Sequence, residues 1–191
     1  MGVANDYAEV VERFGAVAER YCAIVDAAAQ MDKTQLLLQV YRILPELIGG
    51  AIRLPDTDPW RRNEPDDPNE PVDLGQESSR PRIDVEMEYK TWQNLYELLQ
   101  EKLGDSNLYW EVFDPVKETE AIQGSLADDI AGIYRDLNDG LARGREDGAI
   151  LAEVIWEWRT AFYTHWGHHA IDALRTIHSL LGDKIDDGEI V

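Results

Sequence analysis

Three histidines and an aspartate that could do chemistry lie close together in the last third of the chain: His165, His168, His169 and Asp172. In a helix, residues four apart lie one turn apart on the same face, so His165/His169 and His168/Asp172 have the spacing of metal ligands or of a proton relay. A divalent metal site would need further carboxylates from other helices. Acid–base catalysis would need only the imidazoles and their hydrogen-bond partners.

The same spacing also fits a purely structural role, which we favour. In that interpretation His165 and His169 are hydrogen-bonded core residues, while His168 and Asp172 pair near the surface. Desolvation would then lower the pKa of the two core imidazoles.

Other residues could complete a site with the histidine cluster. Asp129 and Asp136 lie two turns apart at the edge of an apolar stripe, and Glu111 and Asp114 flank an aromatic segment in which a turn could hold Trp110 at a pocket mouth. The chain contains no H-E-x-x-H motif and no paired E-x-x-H motif. We therefore predict no bound metal and no cofactor.

The histidine cluster belongs to the longest helical pattern of the chain, Glu146 to Gly182, which also holds every histidine. Leu151, Val154 and Trp158 fall on one face of a helical wheel together with His165 and His169, and a second apolar face lies opposite. A helix that is apolar on two sides needs neighbours on both. We expect it to be the central helix of a bundle.

Four more helices are predicted from capping signals and apolar periodicity. Gly132 and Gly140 lie on one side of the fourth, where a missing side chain allows another helix or a ligand to approach closely. Pro45 should kink the second helix near Tyr41. The predicted helices run from Asp6 to about Gln30, from Asp32 to Gly49-Gly50, from Asp84 to Gly104, and from Ser125 to Gly144.

Residues 54–82 differ from the rest, because they hold six of the eight prolines among many acidic residues. We predict a long flexible acidic loop pinned at Trp60, with residues 183–191 as a frayed tail. The aromatic segment after Gly104 should be non-helical or a short strand, with Tyr109, Trp110, Val112 and Phe113 tucked into the bundle. The sequence predicts a single all-α domain over residues 1–191, a bundle of about five main helices with one long acidic, proline-rich loop.

Three stretches, "YWEVFDP", "SLADDIAGIYRDL" and "WRTAFYTHWGHHAIDALRTIH", resemble the bacterial family called domain of unknown function 5063. They occur in this order between Tyr109 and His178. The resemblance implies a compact α-helical domain. It supplies no activity and no catalytic residues.

Charge and composition narrow the function classes. A net charge of -20 disfavours nucleic acid and anionic membrane surfaces as partners. A single cysteine, Cys22, and the absence of an export signal or a long apolar run favour the cytoplasm. We predict a cytoplasmic interaction or regulatory domain with a protein partner. The alternative is a divalent-metal-dependent phosphohydrolase, or other hydrolase, that uses the carboxylates of the fourth helix and the histidines of the last. Neither interpretation fixes the oligomeric state.

Overall fold

A computed structural model describes residues 3–57, 89–112, 116–117 and 119–186. Within these residues the chain is a bundle of helices with one small two-stranded sheet, which confirms the predicted all-α class. The elements are α1 (Val3–Asp26), α2 (Lys33–Ile52), α3 (Tyr89–Leu103), β1 (Leu108–Glu111), β2 (Ile122–Ser125), α4 (Leu126–Gly144), α5 (Leu151–Ala161), a π-helical turn (Phe162–Trp166) and α6 (Gly167–Asp186).

Local capping signals fix several helix ends. Asp32 Oδ1 accepts a hydrogen bond from the Gln35 amide at 2.9 Å, and Gln35 Oε1 accepts one from the Asp32 amide at 3.2 Å, so the predicted capping box is present. Gly104 ends α3 with a φ of +54°. The start predicted at Asp6 is wrong, because α1 already begins at Val3. The cap predicted at Asp84 lies outside the described residues.

The aromatic segment forms β1, which pairs antiparallel with β2, a strand that the sequence analysis did not predict. Alternation along β1 turns successive side chains to opposite sides. Tyr109 therefore packs against the core, whereas Trp110 is 68% exposed. The expectation that Trp110 tucks into the bundle is wrong for this reason. Phe113 lies outside the described residues.

Buried Asn107 joins this sheet to α4. Its side-chain Oδ1 accepts a hydrogen bond from the Ala127 amide at 2.8 Å, and its carbonyl oxygen accepts one from the Leu126 amide at 2.8 Å. Ser125 Oγ accepts a hydrogen bond from the Asp128 amide at 3.3 Å, as its predicted capping role requires. The first turn of α4 is thus held by Asn107, which precedes β1, and by Ser125, the last residue of β2.

The long helical pattern forms a continuous helix, but this helix begins at Leu151 rather than at Glu146. Gly148 has a φ of +82°, which places a turn in the predicted first helical turn. The π-helical turn separates α5 from α6. A Cβ atom on Gly167 would lie 2.1 Å from the carbonyl oxygen of Phe162, so this turn needs glycine at that position.

Two glycines of α4 allow the close helix approach that the sequence predicts. A Cβ atom on Gly140 would lie 2.0 Å from Nε1 of Trp158, and one on Gly132 would lie 3.3 Å from the ring of His169. Helix α4 contacts α1, α3, α5 and α6, and the long helix contacts α1, α2 and α4. The centre of the bundle is therefore shared between α4 and the long helix.

The predicted long loop is only partly described. Leu54 is buried, and the Thr57 hydroxyl donates to the carbonyl oxygen of Ala152 at 2.7 Å, so the first residues of the segment are packed. Trp60 and the rest of the predicted loop lie outside the described residues. Helix α6 continues to Asp186, which shortens the predicted tail. No helix in the described part combines the length and the apolar character that crossing a membrane requires.

The Trp158 side chain is 1% exposed and its ring centroid lies 5.0 Å from that of Phe14. We expect Trp158→Ala to lower the free energy of unfolding by about 3 to 5 kcal/mol, because it leaves a large cavity between α4 and α5. Trp110→Ala is the matched control, and we expect it to cost less than about 1 kcal/mol. Urea unfolding measures both, and equal losses would contradict this packing.

Candidate functional site

A cleft of about 580 Å³ opens between α3, α4, the β-sheet and the start of α6. Its wall contains two aromatic side chains from α3 and most of the titratable groups singled out from the sequence. The residues that line it include Trp92, Tyr96, Glu111, Asp129, His165, His169 and Asp172.

Asp129 lines the cleft, and its side chain is only 5% exposed. Its Oδ1 atom lies 2.8 Å from Nδ1 of His169, and its Oδ2 atom accepts a hydrogen bond from the Tyr109 hydroxyl at 2.7 Å. Burial raises the pKa of Asp129, although both hydrogen bonds act against that rise. Burial and the Asp129 charge also raise the pKa of Tyr109. One buried carboxyl group thus ties α4 to α6 and to β1.

A second histidine–aspartate pair lies beside the first. Nδ1 of His165, in the π-helical turn, is 2.6 Å from Oδ2 of Asp136 on α4. The His165 and His169 rings meet edge to face with centroids 4.8 Å apart. When each carboxylate accepts a hydrogen bond from Nδ1–H, the Nε2 atom of each ring is left to exchange a proton with a ligand.

Glu111 on β1 and Asp172 on α6 form a carboxyl–carboxyl pair. Burial is the largest cause of the raised pKa of both groups, and the negative charge of Asp172 raises the pKa of Glu111 further. Both side chains line the cleft. Arg175 Nη2 lies 3.5 Å from Oδ1 of Asp172, and the Arg175 side chain is 57% exposed.

The aromatic part of the cleft wall comes from α3. The Trp92 and Tyr96 rings are stacked, with centroids 5.5 Å apart and planes 15° from parallel. Such a stack presents an apolar, electron-rich surface to a ligand. In the part of the chain that the structure describes, the Trp92 indole nitrogen is buried without a hydrogen-bond partner.

The structure brings most of the sequence-predicted candidates together. The following six line the cleft: Glu111, Asp129, His165, His168, His169 and Asp172. Asp136 contacts the cleft through His165. Trp110 does not line this cleft but a separate surface depression near the end of α6. Asp114 lies outside the described residues.

Several cleft residues were not singled out from the sequence as site residues. The sequence predicts Tyr109 to be a core residue. Trp92 and Tyr96 share the apolar stripe of α3 with the buried Leu99 and Leu103, so the pattern does not distinguish them from core residues. One signal for Tyr109 was available in β2, where a glycine inside a strand marks close approach of another group. A Cβ atom on Gly124 would lie 2.5 Å from the Tyr109 ring.

The histidines are less buried than the structural interpretation requires. The side chain of His165 is 41% exposed and that of His169 is 23% exposed. Burial lowers the pKa of His169, but the hydrogen bond and charge of Asp129 outweigh it and raise the pKa overall. The prediction of a lowered pKa is therefore wrong for His169, because its partner is a carboxylate rather than a neutral group.

A metal ion needs several protein ligands that converge on one point. Among the residues that the structure describes, no three His, Cys, Asp or Glu side chains are arranged to hold a metal ion.

The family called domain of unknown function 5063 matches residues 5–183. The chain belongs to this family. No curated protein matches it. Similar solved structures include protein BF1032 from Bacteroides fragilis, with a TM-score of 0.66 and 20% sequence identity over 90% of this chain and 91% of that one. At that identity the similarity supports the fold alone.

We expect the His169–Asp129 pair of this family 5063 chain to stabilise the fold most at low pH. A raised folded-state pKa means that the contribution is complete below the unfolded value of about 6.5 and is lost as pH rises through the folded value. Below pH 6.5 the pair should contribute about 1.5 to 3 kcal/mol, the range for hydrogen bonds to charged groups.

The test compares urea unfolding of wild type and His169→Gln between pH 5.5 and 9. The difference in free energy of unfolding should shrink as pH rises. His178→Gln controls for loss of a histidine from the same helix, since His178 is bonded to Tyr41 rather than to a carboxylate. A difference that grows with pH would show that burial dominates and that His169 is neutral.

Proposed function

We propose that this chain is an interaction domain whose cleft binds a positively charged group of a partner protein. The observation that carries the proposal is that two carboxyl groups, Glu111 and Asp172, line a cleft that also presents stacked aromatic rings. Carboxylates and aromatic faces are the two surfaces that attract an organic cation.

The charge around the cleft supports the same ligand class. Burial penalises the ionised form of Glu111, Asp129 and Asp172, as their raised pKa values show. A bound cation would offset that penalty, because it favours the ionised carboxyl groups. The net charge of -20 adds a long-range attraction for basic partners.

A direct test uses a fluorescein-labelled basic peptide of alternating Arg, Lys and Gly and its acidic counterpart of Asp, Glu and Gly. Fluorescence anisotropy should show saturable binding of the basic peptide only. The variant Glu111→Gln/Asp172→Asn should weaken binding roughly tenfold or more, because it removes charged hydrogen-bond acceptors.

The matched control is Glu101→Gln/Glu120→Gln, which removes the same charge from exposed positions outside the cleft. It should change affinity by no more than about threefold, since exposed charges act only through screened attraction. Equal losses in both double variants would refute cleft binding and leave non-specific attraction between a basic peptide and an acidic protein.

A second candidate function is acid–base hydrolysis, which the two adjacent histidine–aspartate pairs favour. Asp136 and Asp129 would hold the His165 and His169 rings in place. One imidazole would take a proton from water while the other would give one to the leaving group. Here the acids of α4 and the histidines of the last helix act together, as the hydrolase alternative requires.

The hydrolase candidate is tested with p-nitrophenyl phosphate, bis(p-nitrophenyl) phosphate and p-nitrophenyl acetate, each with and without Mg²⁺, Mn²⁺ and Zn²⁺. Acid–base catalysis predicts turnover that falls at least about 100-fold in His165→Gln and in His169→Gln. His178→Gln should keep full activity. Turnover that is absent, or unchanged in the cleft variants, would reject this candidate without affecting the binding proposal.

A further inference from the structure

The carboxyl pair in the cleft restricts the kind of cation that fits. Glu111 and Asp172 line the same cleft from different elements, β1 and α6. Burial disfavours the ionised form of both carboxyl groups. A bound cation favours ionisation, and the cleft then presents two carboxylates to it.

Two adjacent carboxylates match a forked donor better than a point charge. A guanidinium group is planar and carries five N–H donors in fixed directions, whereas an ammonium group is compact and strongly hydrated. The chain already contains a weak internal example, because the guanidinium of Arg175 reaches Asp172 with a single 3.5 Å contact. Because the Arg175 side chain is exposed, a better-placed guanidinium could displace it from Asp172.

The aromatic wall favours the same group. Trp92 and Tyr96 present parallel rings in the cleft that also contains the carboxyl pair. Guanidinium stacks on aromatic faces and loses less hydration than ammonium when it does so. A ligand that stacks with its face and donates from its edge would use both surfaces.

We propose that the cation bound by this cleft is the guanidinium group of an arginine side chain, held between Glu111 and Asp172. This inference rests on the proposed function. A proton carried by either carboxyl group passes to solvent on binding, so that the guanidinium meets ionised carboxylates.

Proton release makes binding depend on pH. Affinity should rise with pH as the carboxyl pair ionises, a change displaced above the ordinary carboxyl range because burial raises both pKa values. His169 adds to the same trend, because it loses a competing positive charge as pH rises. The other titratable or charged groups around the pair are Tyr96 of α3, Tyr109 of β1, Asp128 and Asp129 of α4, His165 of the π-helical turn, and His168 and Arg175 of α6.

The experiment titrates the full chain with Nα-acetyl-arginine methylamide and, separately, with Nα-acetyl-lysine methylamide. The readout is the NMR signal of the Trp92 indole N–H, between pH 4.5 and 7.5 and up to about 100 mM ligand, since one small cation binds weakly. The arginine amide should bind at least about fivefold more tightly than the lysine amide, a difference of about 1 kcal/mol.

Three variants separate the roles of the charged groups. Glu111→Gln should weaken arginine binding roughly tenfold and reduce its pH dependence, because it removes one of the two carboxyl groups that titrate. His169→Gln should keep the pH dependence that comes from the carboxyl pair. Arg175→Gln should tighten binding, since it removes the internal competitor, whereas a purely structural role for Arg175 predicts no gain.

The outcomes separate this inference from the proposed function. Equal affinity for the arginine and lysine amides would overturn the guanidinium assignment and leave cation binding in place. Binding of the basic peptide with no saturable response to the arginine amide would do the same. If neither the peptide nor either amide binds, the proposed function falls and the inference falls with it.

Discussion

The site depends on a single buried carboxyl group, that of Asp129. A carboxylate that is almost inaccessible to water must be fully hydrogen-bonded, or its burial costs several kcal/mol. Its two oxygens are bonded to His169 on α6 and to Tyr109 on β1. The position of the sheet on the bundle and the rotation of the last helix are therefore both set by what Asp129 requires.

The rest of the cleft follows from these two anchors. Once Tyr109 is bonded to Asp129, β1 places Glu111 on the same side, two residues further along the strand. Once His169 is bonded to Asp129, α6 places Asp172 one turn further on. The carboxyl pair therefore results from the same interaction that orients the imidazole. The buried Asp129 hydrogen bonds and the carboxyl groups of the cleft are thus two results of one arrangement.

Features that depend on neighbouring residues in the sequence could be predicted from the sequence. The capping box at Asp32 and the cap at Ser125 are local hydrogen-bond patterns, and the close approaches at Gly132 and Gly140 follow from an absent side chain on a predicted apolar face. Features that depend on distant residues could not. The partner of His169 decides the sign of its pKa shift, and helical spacing within α6 does not reveal that the partner is Asp129. The inward side of β1 was likewise undetermined, because it is fixed by pairing with β2.

The π-helical turn changes the phase of the long helix. Buried side chains occur at four successive steps of four residues: Val154, Trp158, Phe162, Trp166 and Ala170. In an ideal α-helix each such step rotates the stripe by roughly 40°, so four steps would carry it nearly to the opposite side. The wider turn absorbs part of that rotation, so these five buried side chains form one seam, although a helical wheel places Val154 and Ala170 on opposite faces. Deleting one residue from this turn would restore the ideal repeat and rotate α6 by roughly 100° relative to α5, away from the alignment that joins His169 to Asp129.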